Sequence, residues 1–199
     1  MDPLQCAIRT ATEAGALILR QLGTPLEIRE KSARGDLVTR ADRASESFIV
    51  ARLLADFPHA SILAEEGGAH GGTSDERWIV DPLDGTTNFA HGYPLFCISI
   101  GYERAGELVC GAIFAPALEE LYAVERGAGA TCNGRALAVS AVHSVAESLV
   151  CTGFYPARFH RNSAQFARLS YAAQAVRRKV EVLTERFPLY PWKLETVRA

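Results

Sequence analysis

The chain has 199 residues, of which 48% are hydrophobic and 22% charged, and its formal net charge is −2. This composition is typical of a globular protein that buries a substantial core. The near-neutral charge gives no electrostatic reason to expect nucleic acid or an anionic membrane as a partner. The sequence shows neither an apolar run of membrane-spanning length nor a signal peptide, so we expect a cytoplasmic protein without membrane association.

The cysteines are dispersed singly, with no Cys-x-x-Cys pair among the five. An odd, scattered set favours a reducing compartment and argues against a disulfide framework or a zinc site. We expect most of them to be small core residues. They are Cys6, Cys97, Cys110, Cys132 and Cys151.

The first quarter of the chain is predicted to be helical. Apolar residues recur with helical spacing over residues 4–22, and Gly23 follows the last of them. A second helix is predicted over residues 41–55. Thr39 stands at its N-cap position and Asp42 three residues later, which is the arrangement of a capping box.

The middle of the chain is predicted to form strands, because short apolar runs alternate there with turn residues. Arg104-Ala105-Gly106 and Asn133-Gly134 predict hairpin turns. A further helix is predicted over residues 162–178. This order of elements indicates a layered α/β or α+β domain. The predicted strands are residues 61–64, 78–80, 97–103, 108–114, 120–125, 130–132, 136–139 and 149–152.

The most informative segment is residues 78–89. A short apolar strand, Trp78 to Val80, delivers Asp81 and Asp84 onto a predicted turn that opens, through Gly85, into a helix. Carboxylates are the ligands that Mg²⁺ prefers, and the free amides of a helix N-terminus favour an anion. The segment therefore predicts a place where Mg²⁺ and a phosphate group meet.

Each acidic residue also has a purely structural interpretation. Asp-Pro and Asp-Gly pairs form turns, so Asp81 or Asp84 alone would more often be structural. The capping box accounts for Asp42, and Glu66 is explained as a solvated neighbour of Glu65. Clustered carboxylates repel one another unless a cation neutralises them, so their combination favours a metal site.

A rival class of phosphatases is disfavoured by spacing. Haloacid-dehalogenase-like enzymes place a nucleophilic aspartate two positions before a second one, in Asp-x-Asp-Gly-Thr. In this chain Asp81 and Asp84 are three positions apart.

The chain resembles the inositol monophosphatase family of Mg²⁺-dependent, lithium-sensitive phosphatases. The resemblance covers residues 1–178 and implies a layered α-β-α-β-α sandwich whose C-terminal sheet region is incomplete. On this resemblance we expect residues 179–199 to be an atypical tail that replaces the end of the domain. The motifs that carry the resemblance are residues 81–89 (DPLDGTTNF), 91–94 (HGYP), 36–42 (DLVTRAD) and 63–67 (LAEEG).

The resemblance implies a set of metal ligands. Glu65 and Asp81 would hold one Mg²⁺ together with the backbone carbonyl of Leu83. Asp84, with Asp81 bridging, would contribute to a second ion.

The resemblance also implies catalytic and phosphate-binding residues. Thr86 and Glu65 would orient and activate a water molecule, and Asp42 would hydrogen-bond to Thr86. Phosphate would bind at Asp84 and at the amides near Gly85 and Thr86. Two auxiliary residues near the metals would be Lys31 and Glu66.

The implied activity is hydrolysis of a phosphate monoester of inositol or of a similar small polyol, in a protein of a family in which homodimers are common. Histidinol-phosphatase, fructose-bisphosphatase and 3′(2′),5′-bisphosphate nucleotidase activities are the alternatives. The family carries a late Trp-Asp that supplies a further ligand, whereas here Lys193 follows Trp192. The reversed charge would oppose binding of the second cation, so we expect impaired catalysis. The other alternative is a non-catalytic scaffold or regulatory partner.

Overall fold

The computed structural model describes residues 1–24, 29–30, 37–65, 68–144 and 147–149. The chain divides into two compact units, Met1–Ala138 and Val139–Ala199. All regular elements of the described residues lie in the first unit. The predicted helix over residues 162–178, nearly all of the predicted strand at 149–152 and the boundary at residue 178 lie outside the described residues.

Two long helices start the fold. They are α1, Pro3–Leu19, and α2, Arg40–Asp56. Asp2 caps α1 by accepting a hydrogen bond from the amide of Gln5. The predicted N-cap of α2, Thr39, is confirmed together with its capping box. The first helix ends at Leu19, earlier than residue 22, and turns lead on to Gly23, whose φ is +75°.

The described strands form a small hairpin and one large sheet. The hairpin pairs β1, Arg29–Glu30, with β2, Leu37–Val38. The sheet contains eight strands in the order β10-β9-β8-β7-β6-β5-β3-β4, and the pair β3–β5 is parallel while the other neighbours are antiparallel. Its strands are β3 Ser61–Ala64, β4 Gly68–His70, β5 Glu76–Asp84, β6 Cys97–Arg104, β7 Glu107–Ala115, β8 Glu120–Glu125, β9 Gly129–Cys132 and β10 Arg135–Ala136.

Both long helices cover the same face of this sheet. α1 lies on β6 and β7, and α2 lies on β5. The close approach of α1 requires Gly15, because a Cβ there would lie only 2.4 Å from Cδ1 of Phe114. Trp78 and Tyr102 are fully buried beneath the helices, with their ring centroids 4.7 Å apart. The predicted α/β fold class is confirmed, and helices α1 and α2 with the sheet form its first two layers.

Two hairpin turns confirm predictions from the sequence. Ala105 and Gly106 both have positive φ, as do Asn133 and Gly134, and each pair joins antiparallel neighbours. Positive φ at both central residues is the geometry of the type I′ turn, whose twist matches that of the flanking strands. None of the helices in the described part of the chain has the length and apolar character needed to cross a membrane.

Candidate metal and phosphate site

The acidic segment lies on a strand and not on a turn. We expected Asp81 and Asp84 to leave the sheet after Val80, but β5 continues to Asp84. Its pairing with β6 is regular up to Asp81, breaks, and resumes at Asp84 opposite Cys97. Pro82 has no N–H to donate, so the ladder is interrupted there and a bulge forms. The bulge gives Asp81 and Asp84 different environments, since Asp81 is partly buried and Asp84 is exposed.

Glu65 and Asp81 are brought together by the one parallel strand pair of the described sheet. Ala64 on β3 lies opposite Val80 on β5, so the next residue of each strand carries its carboxylate to the same edge. The two carboxyl groups lie close enough to interact directly. Burial, followed by the nearby charges of Glu65 and Asp84, raises the pKa of Asp81 to about 7. Asp81 is therefore only partly ionised at neutral pH unless a cation displaces its proton.

An open cleft of about 380 Å³ gives access to this carboxylate pair. Glu65 and Asp81 line one end of it, and Leu63, Ile79 and Ser99 extend it along the sheet face opposite to α1 and α2. A small hydrated ion and a phosphate group could enter from this side.

The donor set suits a hard cation. Carboxylates of Glu65, Asp81 and Asp84 and the carbonyl of Leu83 supply only oxygen, the donor type of Mg²⁺ and Ca²⁺ sites. Among the described residues, no three or more His, Cys, Asp or Glu side chains converge into a cage around one ion. Glu65 and Asp81 are the predicted ligands that the fold brings into contact, and two carboxylates are within the number that usually holds Mg²⁺ together with water and substrate phosphate.

Thr86 is held by Asp42. The Thr86 hydroxyl lies 2.7 Å from Oδ1 of Asp42 and 3.0 Å from the carbonyl oxygen of Leu83. Oδ2 of Asp42 accepts from the amide and the hydroxyl of Thr39, at 2.8 and 2.6 Å. The capping box and the expected hydrogen bond to Thr86 are therefore both present on the same buried carboxylate, while the catalytic role of Asp42 stays a prediction.

Gly85 makes the sharp turn from β5 into the short helix α3, Thr86–Ala90. Its φ is +88°, and a Cβ there would lie 2.9 Å from the carbonyl oxygen of Leu95 and 3.2 Å from Cα of Phe96. Only glycine fits both the conformation and the space. The predicted helix start after Gly85 is confirmed, and α3 begins two residues after Asp84.

Two contacts at the site were not expected from the sequence. The thiol of Cys97 lies 3.6 Å from Oδ2 of Asp84, and burial, with the charge of Asp84, raises the pKa of this thiol to about 12. Cys97 therefore remains a neutral donor to Asp84. The hydroxyl of Ser45, on α2, donates to the carbonyl of Pro82 at 2.7 Å. Lys31 and Glu66, predicted as auxiliary residues, lie outside the described residues.

Comparison with known proteins identifies the family of this chain. A family model described as the inositol monophosphatase family matches residues 2–184. The chain belongs to the inositol monophosphatase family. An inositol-1-monophosphatase of Mesorhizobium japonicum is 43% identical over 152 residues, which are 75% of this chain and 57% of that protein. The Nus factor SuhB of Pseudomonas aeruginosa is 42% identical over 160 residues, 77% of this chain and 59% of that protein.

Solved structures of the family share the fold. The inositol monophosphatase from Anabaena (Nostoc) sp. PCC 7120 superposes with a TM-score of 0.73 at 38% identity, over 85% of this chain and 63% of that one. The chain thus spans less than two thirds of the length of each of these three relatives.

Proposed function

We propose that this chain is a Mg²⁺-dependent phosphatase that hydrolyses a phosphate monoester of inositol or of a similar small polyol. The observation that carries the proposal is the hydrogen bond of Thr86 to Asp42 beside the paired carboxylates of Glu65 and Asp81. These groups are the ones needed to hold a cation and to accept a proton from water. The family membership of the chain supports the same reaction class.

In this proposal two sets of oxygen ligands would each contribute to holding one Mg²⁺. Glu65, Asp81 and the Leu83 carbonyl would bind one Mg²⁺, and Asp81 with Asp84 would contribute to a second. Magnesium ions bound there would neutralise charge on the phosphate and make a water molecule more acidic. The raised pKa of Asp81 supports this assignment, because carboxylates that repel one another are stabilised by a cation.

The hydrogen-bond direction at Thr86 suggests its part in the reaction. The single hydroxyl proton is donated to Asp42, since that acceptor is both nearer than the Leu83 carbonyl and charged. The lone pairs of the Thr86 oxygen then remain to accept a hydrogen bond from water, and the proton that the water loses would pass to Glu65 or, through the Thr86 hydroxyl, to Asp42. Glu65 provides the neighbouring acceptor.

Phosphate would bind between Asp84 and the amides that Gly85 and Thr86 present at the start of α3. The family supports a small phosphorylated metabolite as the substrate. Histidinol phosphate, fructose bisphosphate and 3′-phosphoadenosine nucleotides are the competing substrates. Free thiols at the four described cysteines support a cytoplasmic protein, and a homodimer is the proposed assembly.

A second candidate function is that of a regulatory partner that keeps the fold with impaired catalysis. The relative of Pseudomonas aeruginosa is named a Nus factor. The charge reversal at Lys193, next to Trp192, supports the same alternative.

Phosphate release from a panel of polyol, sugar and nucleotide monophosphates, with and without Mg²⁺, tests the proposal. Asp84→Asn should abolish Mg²⁺-dependent turnover. Asp75→Asn, an exposed aspartate away from the cleft, is the matched control and should turn over like the wild type. A folded wild-type protein with no release above background on any substrate would exclude the phosphatase and favour the regulatory function.

A further inference from the structure

The peptide group between Pro82 and Leu83 lies in the bulge of β5 and is not held by the sheet. Regular pairing with β6 stops at Asp81 and resumes at Asp84. The residues inside a bulge lose their ladder hydrogen bonds, and Pro82 has no N–H to contribute. Both residues are nevertheless buried, so their polar backbone groups need partners from elsewhere.

Side chains supply these partners on both sides of the peptide plane. The carbonyl oxygen of Pro82 accepts from the hydroxyl of Ser45 at 2.7 Å. The N–H of Leu83, which belongs to the same peptide group, donates to Oδ1 of Asp81 at 3.2 Å. In a trans peptide the C=O and N–H point in opposite directions. Ser45 and Asp81 therefore sit at the two ends of one rigid unit.

We infer that Ser45 is a positioning residue that orients the carboxylate of Asp81 through the Pro82–Leu83 peptide. Its hydroxyl is fully buried, so the bond is protected from competition by water. A donor at the carbonyl end also polarises the peptide and strengthens its N–H as a donor to the carboxylate. Without Ser45 the Pro82 carbonyl loses this donor, and the peptide plane is held less firmly in the orientation that points the Leu83 N–H at Asp81.

The position of Ser45 on α2 supports this role. Ser45 follows Asp42 by three residues, so both side chains project from the same face of the helix. Asp42 binds Thr86 and Ser45 binds Pro82, and the bulge and the turn lie between these two points. One rigid helix thus fixes both ends of the segment that carries the Leu83 carbonyl and Asp84.

This inference rests on the proposed function, because it takes Asp81 as a metal ligand. Groups that orient metal ligands typically change metal affinity by about 10- to 100-fold when they are removed. Mn²⁺ is a suitable probe, because it prefers the same oxygen ligands and its free form is measured by electron paramagnetic resonance without any turnover.

The experiment compares Mn²⁺ binding by the full chain and three variants. Ser45→Ala should raise the dissociation constant about tenfold or more. Ser45→Cys keeps the volume but donates weakly, so it should give a smaller increase in the same direction. The matched control is Ser61→Ala, which removes a hydroxyl bound to the carbonyl of Glu76 at 3.3 Å, at the far end of β5. It should change the dissociation constant less than about twofold.

Circular dichroism first establishes that each variant is folded. If Ser45→Ala does not fold, the Mn²⁺ affinity of Ser45→Cys is the measurement that tests the inference. Wild-type affinity in the folded Ser45 variants, or equal losses in the Ser61 control, would overturn the inference. A wild-type protein that binds no Mn²⁺ would overturn it together with the metal part of the proposed function. If the Ser45 variants bind Mn²⁺ more weakly but the wild type hydrolyses no substrate, the positioning role of Ser45 is supported and the proposed phosphatase activity is refuted.

Where the wild type does hydrolyse a substrate, a second measurement separates positioning from general damage. Ser45→Ala should raise the Mg²⁺ concentration needed for half-maximal rate, while the KM for substrate at saturating Mg²⁺ stays within about twofold. A change in KM alone would contradict the inference.

Discussion

The hydroxyl of Thr86 lies 2.7 Å from Oδ1 of Asp42, although the two residues are 44 positions apart in the chain. The contact joins the N-terminal cap of α2 to the first residue of α3. It fixes the direction in which the Thr86 proton points, and it leaves the oxygen lone pairs facing away from Asp42. A helix cap and a candidate catalytic hydroxyl therefore share one carboxylate.

The first prediction concerns this hydroxyl. Thr86→Ala should lower kcat by roughly 100-fold or more, the scale of a lost proton acceptor. The free energy of unfolding should fall by about 1.5 to 3 kcal/mol, the scale of one hydrogen bond to a charged group, because Oδ1 of Asp42 loses its donor while Oδ2 keeps the two from Thr39. Initial rates at saturating Mg²⁺, together with urea denaturation, measure both quantities.

Thr86→Ser is the matched control for that measurement. It keeps the hydroxyl and removes only a methyl group, so its kcat should stay within about tenfold of the wild type. Equal kcat values for Thr86→Ala and the wild type would exclude Thr86 from the reaction.

The second prediction concerns pH and Asp81. Its pKa is raised from 3.8 to about 7, chiefly by burial and then by Glu65 and Asp84. Between these two values the folded protein holds a proton that the unfolded chain has lost. In EDTA, the contribution of Asp81 to stability should therefore fall as pH rises from about 4 to 7. The Tm measured across this range should follow that slope.

Asp81→Asn should remove this part of the slope, and the variant should be more stable than the wild type at pH 8 in EDTA. Added Mg²⁺ should stabilise the wild type more at pH 8 than at pH 5, because binding requires the ionised carboxylate. Parallel Tm curves for wild type and Asp81→Asn would contradict the assignment of the raised pKa.

The third prediction compares two glycines with similar backbone angles. Gly85 and Gly92 have φ of +88° and +70°, but a Cβ meets the Leu95 carbonyl at 2.9 Å in the first case and nothing within 4 Å in the second. Gly92→Ala should cost about 1 kcal/mol of conformational energy. Gly85→Ala should cost about 2 to 4 kcal/mol, because a backbone clash is added.

Urea denaturation of both variants, with the free energies extrapolated to water, tests this difference. The comparison separates the two reasons for glycine at position 85, which are its positive φ and the lack of space for a Cβ. Equal losses in the two variants would mean that the space around Gly85 is not limiting.

The fourth prediction uses the turn between β6 and β7. Ala105 has φ of +52° at the first central position of a type I′ turn, where asparagine is favoured. Ala105→Asn should stabilise the protein by about 0.5 to 1 kcal/mol. Ala105→Val should destabilise it, because a β-branched residue tolerates positive φ poorly. The urea midpoint at an unchanged m-value measures both effects, and shifts of the same sign in the two variants would contradict the prediction.

Some elements could be predicted because short-range chemistry determines them. The bounds of β3 and β8 match the predicted residues 61–64 and 120–125, since turn residues limit both apolar runs. The capping box of α2 needs only Thr39 and Asp42, which are close in sequence. The grouping of Glu65 with Asp81 was also predictable, because each residue comes directly after a short apolar run and the two runs pair in parallel.

Other features depend on contacts between distant segments. Pro82 normally argues against a strand, so the extension of β5 to Asp84 was not predicted. It forms because β6 pairs again with Asp84 after the bulge. β4, Gly68–His70, has no alternating apolar pattern and exists because it pairs with the edge of β3. Ser45 could have been suspected from its position one turn after Asp42, but its acceptor is 37 residues away.

The double use of Asp42 bears on how proteins of this lineage can lose activity. Folding alone would preserve its carboxylate, since α2 begins at the capping box that it completes. No such demand protects the hydroxyl at position 86, whose contribution to stability is a single hydrogen bond. A descendant released from selection for hydrolysis would therefore exchange Thr86 long before Asp42. Under the proposed function, position 86 is thus the more informative record of hydrolytic activity, and in this chain it still carries its hydroxyl.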